Sequence, residues 1–191
     1  MVFRCFFCLL LALAAAAQQP LRVPAGEFIM MDGNLDATEW KDAARMPLGD
    51  FARLYVKQTD GYVWLAVELL KSDTGTLDLY LSPGENKVYN LHASAKLGER
   101  FLTTGVWPEE WHWWNNTGWV ANVSRVDAWD KRTFMPEKVR EYQISRARFP
   151  GSEWRVMLEI MTPAKPSWQT TAFPAGANNT DPKDWIRLRL D

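Results

Sequence analysis

Two short stretches, TLDLYLS and KVYNLHASA, set Asp78, Asn90 and His92 opposite runs of aliphatic side chains. Successive residues of a strand point to opposite faces. Leu77, Leu79 and Leu81 therefore share one face, and Asp78 and Tyr80 share the other. In the second stretch Val88 (or Tyr89) and Leu91 turn to the core, and Asn90 and His92 turn away from it. If the two strands adjoin, a carboxylate, an amide and an imidazole line one face, a donor and acceptor set suited to hydroxyl groups. The second notable group is aromatic. VWPEEWHWWNNTGWV, from Val106 to Val120, holds Trp107, Trp111, Trp113, Trp114 and Trp119. Leaving one large apolar side chain in water forfeits about 1.5–3 kcal/mol relative to burying it. Such a cluster is either core or a surface kept for something flat and partly apolar.

Other chemistry is poorly represented. The chain has 2 histidines, His92 and His112, and no GxSxG elbow to accompany a serine–histidine–aspartate triad. HExxH, a phosphate-binding loop and GxGxxG are absent. A carboxylate pair for glycoside hydrolysis can be drawn from the plentiful Asp and Glu, but most such residues are solvated strand-face and loop charges. The reading is of a protein that binds and does not catalyse.

The first seventeen residues read as a secretory signal: Arg4, then the apolar run CFFCLLLAL, then Ala15–Ala17 as a cleavage site. That run is shorter than the roughly 20 residues a membrane span needs. Residues 18–30 read as a lead-in and 31–191 as one domain. Both cysteines, Cys5 and Cys8, lie in the signal, so beyond it no disulfide, thiol nucleophile or cysteine metal site is available. A secreted chain without disulfides suits a periplasm or the exterior of a bacterium. A formal net charge of −1 with no basic block argues against nucleic acid and anionic membranes.

The elements that must position these residues are mostly strands. ARLYVKQ and YVWLAVELL flank Thr59-Asp60-Gly61, a hairpin signal, with Val63, Leu65, Val67 and Leu69 on one face and a half-buried Trp64 on the other. EWRVMLEIM alternates Trp154, Val156, Leu158 and Ile160 against Arg155, Met157 and Glu159. DWIRLRLD points Ile186, Leu188 and Leu190 inward. DATEWKDAARM predicts a short helix capped by Asp36, with Glu39 in capping-box position and Pro47 ending it. Trp40 and Trp154 read as core, and Trp168 sits in a loop, KPSWQTT. The expected architecture is all-β: an antiparallel β-sandwich with one short N-terminal helix and a Trp-rich insertion, irregular from about Gly105 to Pro150.

In order along the chain, these motifs resemble the family 9 carbohydrate-binding modules. MDGNLDATEWKDAARMPL matches their opening Asp-Gly-x-x-Asp-x-x-x-Trp at Asp32, Gly33, Asp36 and Trp40. LYVKQTDGYVWLAVEL is similar to their first hairpin, TLDLYLSP to their carboxylate-bearing strand, YNLHASAKLG to the strand after it, and DPKDWIRLRL to the closing strand. The resemblance implies a β-sandwich that clamps a sugar between tryptophans while polar strand residues bond its hydroxyls. By order and spacing it gives Trp168 the place of the second clamp tryptophan, Asp78 that of the carboxylate, and Asn90 and His92 those of the polar pair. The loop KSDTG, where the first clamp tryptophan would stand, has no aromatic. The tryptophan-rich segment from Gly105 to Trp119 is therefore expected to lie beside Trp168, with Trp111, Trp113 and Trp114 supplying the missing wall. The resemblance also implies structural calcium, with Asp32 and Asp36 as candidate ligands. Two further readings stay open: an envelope protein partner docked on the tryptophans, and a haem held by a methionine with His92 or His112.

Overall fold

The structure, a computed structural model, describes residues 19–72, 75–84, 87–93, 97–114, 124–126, 132–134 and 138–191. The signal segment and Trp119 lie outside the described residues, as does the side chain of Trp114. The described chain is all-β. Its strands are β1 (Leu21–Val23), β2 (Ala44–Leu48), β3 (Ala52–Thr59), β4 (Tyr62–Leu69), β5 (Thr76–Ser82), β6 (Tyr89–Ala93), β7 (Leu97–Phe101), β8 (His112–Trp114), β9 (Ser124–Val126), β10 (Arg132–Phe134), β11 (Val139–Ser145), β12 (Glu153–Pro163), β13 (Trp168–Phe173) and β14 (Ile186–Leu190).

Two sheets form a sandwich. The large one runs β1-β14-β12-β5-β6-β7-β8, the small one β11-β4-β3-β2, and β9 and β10 pair as a separate hairpin. The long strand β12 carries two partners on one edge: β14 along Glu153–Val156 and β13 along Leu158–Pro163. Between the sheets lies the main core, with Leu54, Val56 and Leu65 from the small sheet meeting Leu79, Leu91 and Leu158 from the large one. The alternation expected of β4, β5, β6, β12 and β14 holds throughout. Asp60-Gly61 makes the β3–β4 turn, with Gly61 at φ 85°, a conformation open to glycine at little cost. The 18–30 stretch supplies β1, which pairs in parallel with β14.

The expected helix is absent. Asp36 does cap: its Oδ1 accepts the backbone N–H of Thr38 at 2.6 Å and of Glu39 at 3.2 Å. Those bonds hold the Asp36 carboxyl below the ordinary aspartate value. The segment then runs on as turns, and from Ala44 it pairs with β3 as β2. Glu39 does not complete a capping box. Its carboxylate accepts from Met30 N–H, and its carbonyl accepts from Lys57 Nζ. Tertiary bonds therefore claim the groups that would have propagated a helix.

The small sheet is covered on its outer face as well. Residues from Phe28 to Trp40 cross it and bury Trp40, Tyr55 and Trp64. The half-burial expected of Trp64 is thus corrected to near-complete burial: Phe28 meets its ring edge-on at 5.9 Å. Beneath this layer sits Glu141, fully buried. Its Oε2 accepts Asp32 N–H at 3.0 Å and Gly33 N–H at 2.9 Å, and its Oε1 accepts Trp40 Nε1–H at 3.2 Å. The Asp-Gly…Trp motif is therefore fastened to one carboxylate. Burial, partly offset by those bonds, pushes Glu141 up to about 7. Buried Lys57 completes the layer, bonded to Asp42 at 2.9 Å.

Candidate functional site

The outer face of the large sheet carries the polar residues singled out in the sequence. Its register sets them in rows. One row runs Ala172–Glu159–Asp78–His92–Gly98–Trp113 across β13, β12, β5, β6, β7 and β8. The adjacent row runs Met157–Tyr80–Asn90–Arg100. On the other side lie Thr170, Met161 and Thr76. Asp78, Asn90 and His92 are therefore brought together, as neighbours on two adjoining strands.

Each side chain has a defined surrounding. His92 Nδ1 stands 2.7 Å from Asp78 Oδ1. An ionised carboxylate only accepts, so Nδ1 carries the proton, and in the neutral ring Nε2 is left to accept. Tyr80 donates its hydroxyl to Glu159 Oε2 at 2.8 Å. Burial, and after it the charges of Asp78 and Glu159, push the Tyr80 phenol well above its ordinary value. Asn179 Nδ2 donates to Tyr80 Oη at 3.3 Å, and Trp107 Nε1–H donates to Asn179 Oδ1 at 3.2 Å. Asn90 is 0% exposed, and neither Oδ1 nor Nδ2 has a partner. A buried amide left unpaired costs about 1–3 kcal/mol for each group.

The indoles divide. Trp107 and Trp185 flank the Tyr80 ring at 5.6 and 6.2 Å and close over one end of the face. Trp111 and Trp113 stack on each other at 5.6 Å and lie against His92 at 5.3 and 6.0 Å. Gly98 makes room for them: a Cβ there would come 2.9 Å from Trp113 and 3.0 Å from Trp111. The Arg100 guanidinium lies over Trp107 at 4.9 Å and Trp111 at 4.2 Å. Trp113 stays 50% exposed and Trp168 53%.

Trp168 is not in a loop. It opens β13 opposite Pro163, in register with Thr170 and Ala172, and so belongs to this same outer face. It does not stand beside Trp111 and Trp113. β12, β5, β6 and β7 lie between β13 and β8, roughly 24 Å across five strand spacings. Trp168 also sits four residue pairs along from the Asp78 row, roughly 13 Å. The expected second wall of one clamp is thus corrected: the indoles flank a wide platform, with Asp78, Glu159 and His92 between them.

Sequence reasoning did not assign Glu159, Tyr80, Trp107, Trp185 or Asn179 to the site. Alternation placed Tyr80 and Glu159 on the right face of their strands; the missing fact was that β5 pairs with β12. Nothing local marks Asn179 or Trp185. Their roles follow from how the loop before β14 folds back, with Trp185 Nε1–H donating to Asn178 O at 2.8 Å.

The carboxylates proposed for calcium are engaged within their own loops. Asp32 Oδ1 accepts Asn34 N–H at 2.9 Å, and Asp36 caps the following turn. Among the described residues no group of three or more His, Cys, Asp or Glu side chains is placed to hold a metal ion. Nor, among the described residues, is any helix long and apolar enough to cross a membrane.

No family model and no curated protein matches the chain. Among solved structures, a carbohydrate-binding module of family 9 from Caldicellulosiruptor kristjanssonii, in complex with cellotriose, superposes with a TM-score of 0.51. The match covers 91% of this chain and 94% of that one at 10% identity. The chain thus has the fold of a family 9 carbohydrate-binding module, the sandwich that the order of its sequence motifs resembles.

Proposed function

We propose that the chain is a secreted, non-catalytic carbohydrate-binding domain whose ligand lies across the outer face of the large sheet. One observation carries this reading. Exposed Trp113 and Trp168 flank a polar floor on a single sheet face. An indole matches the apolar C–H face of a pyranose, and Asp78, Asn90, His92 and Glu159 match its rim of hydroxyls. The two carboxylates hold His92 and Tyr80 in place, a positioning role that suits recognition. The cellotriose bound by the structural neighbour is consistent with a saccharide ligand here. The separation of the indoles favours an oligosaccharide over a single ring.

Isothermal titration with cello- and chito-oligosaccharides tests this reading. Trp113→Ala and Trp168→Ala should each weaken binding by about tenfold, corresponding to about 1.4 kcal/mol of lost stacking. Binding that neither substitution changes removes the platform.

A further inference from the structure

Asp78 and Glu159 face each other directly across β5 and β12. Among the described residues neither has a lysine or arginine ion-pair partner; Asp78 pairs only with His92. Their described neighbours on the face are Thr76 and Met161 on one side, Tyr80 and Met157 on the other, and Ala172 and His92 at the ends. None of these is a lysine or arginine. Arg100, in the next row, has its guanidinium over Trp107 and Trp111. Two carboxylates thus share one partly buried patch in which, among their described neighbours on the face, the His92 imidazole is the one group able to carry a positive charge. Like charges directly opposite on neighbouring strands are destabilising, and a bound cation would offset them.

A second, independent observation points to a ligand at the same patch. Asn90 stands diagonal to Asp78, fully buried, with both amide atoms unpartnered. Its amide offers a donor and an acceptor together, the complement of a hydroxyl. The stacked Trp111 and Trp113 adjoin His92 on the far side. Trp113, 50% exposed, offers an indole surface that attracts both C–H groups and cations.

We propose that this patch selects an amino sugar, with the protonated amine of a hexosamine unit seated between Asp78 and Glu159 and a ring hydroxyl on Asn90. The inference rests on the glycan reading and adds the class of sugar. An ammonium brings three donors and a positive charge to a site rich in acceptors and negative charge. A neutral sugar brings the donors alone, and N-acetylation removes the charge while keeping the ring.

The test is isothermal titration of the full chain with three matched ligands: a β-1,4-linked glucosamine tetramer, its fully N-acetylated counterpart, and cellotetraose. The glucosamine tetramer should bind at least about tenfold tighter than either neutral ligand, the range of a charge-assisted bond. Asp78→Asn and Glu159→Gln should each cut that affinity by roughly ten- to a hundredfold, a larger loss than either causes for the neutral ligands. Both substitutions keep side-chain volume, and the ligand comparison on the unaltered chain needs neither of them. Equal affinity for the three ligands, or preference for a neutral one, overturns the amine assignment and leaves the glycan reading standing. A preference that survives both substitutions overturns it as well. Binding of none of the three overturns both.

Discussion

Glu141→Gln probes the carboxylate that fastens the Asp-Gly…Trp motif to the small sheet. Glu141 is fully buried and accepts three N–H groups. Its folded value of about 7 lies above the ordinary 4.5, so the folded state holds a proton that the unfolded chain releases over that interval. Stability conferred by the protonated form is therefore complete below about pH 4.5. It falls as pH rises towards 7 and levels off above it. The difference of about 2.5 units, at 1.36 kcal/mol each, amounts to roughly 3 kcal/mol. For a domain of this size that corresponds to roughly 6–12 °C in Tm. Carboxyls held below their ordinary values, such as Asp36, Asp42 and Glu153, act with the opposite sign. Their contribution is lost at lower pH and falls largely outside this window. Thermal melts followed by far-ultraviolet circular dichroism from pH 4.5 to 8 should show Tm of the parent falling across the window. Glu141→Gln should lack that slope, since its amide stays neutral. A parent Tm that is flat or rises from pH 4.5 to 7, or a slope kept by the variant, refutes the assignment.

Other substitutions separate holding the fold from binding. Asn90→Leu removes two unpaired buried polar atoms while keeping the branching of the side chain, and should leave stability equal or higher by about 1–2 kcal/mol in urea titrations while weakening glycan binding. Gly98→Ala puts a Cβ where Trp111 and Trp113 lie; near-ultraviolet dichroism should report the displaced stack while Tm moves little. Lys57→Met leaves Asp42 without its ion-pair partner and should cost about 3–5 kcal/mol by chemical denaturation, a smaller loss being evidence that the pair is well solvated.

The sequence revealed the faces of the strands but not what covers them. Leucine–aspartate alternation in β5 and leucine–asparagine–histidine alternation in β6 oriented the site residues, because one face of each strand meets the main core. β11 was hidden in a stretch read as irregular. Its Arg140 and Glu141 are both buried, so polarity does not alternate along it. Trp64 was misjudged for the same reason, since a second layer folds over that face of the small sheet. The capped turn at Asp36 was legible, but its failure to become a helix depended on Lys57 and Met30, distant in the chain. Trp168 looked like a loop residue because its strand, WQTTAF, is polar where it pairs only with β12. The meeting of Asp78 with Glu159 depended on strand order, which no local pattern carries.

Extent of the platform is the quantity that tests the glycan reading most directly. Binding affinity should be measured along an oligosaccharide series of increasing length, for the parent and for Trp168→Ala. The account predicts that affinity climbs with length in the parent, as the chain reaches from Trp113 past the carboxylates to Trp168, and that this climb is lost in the variant. An unchanged length dependence in Trp168→Ala, or no binding at any length, contradicts it.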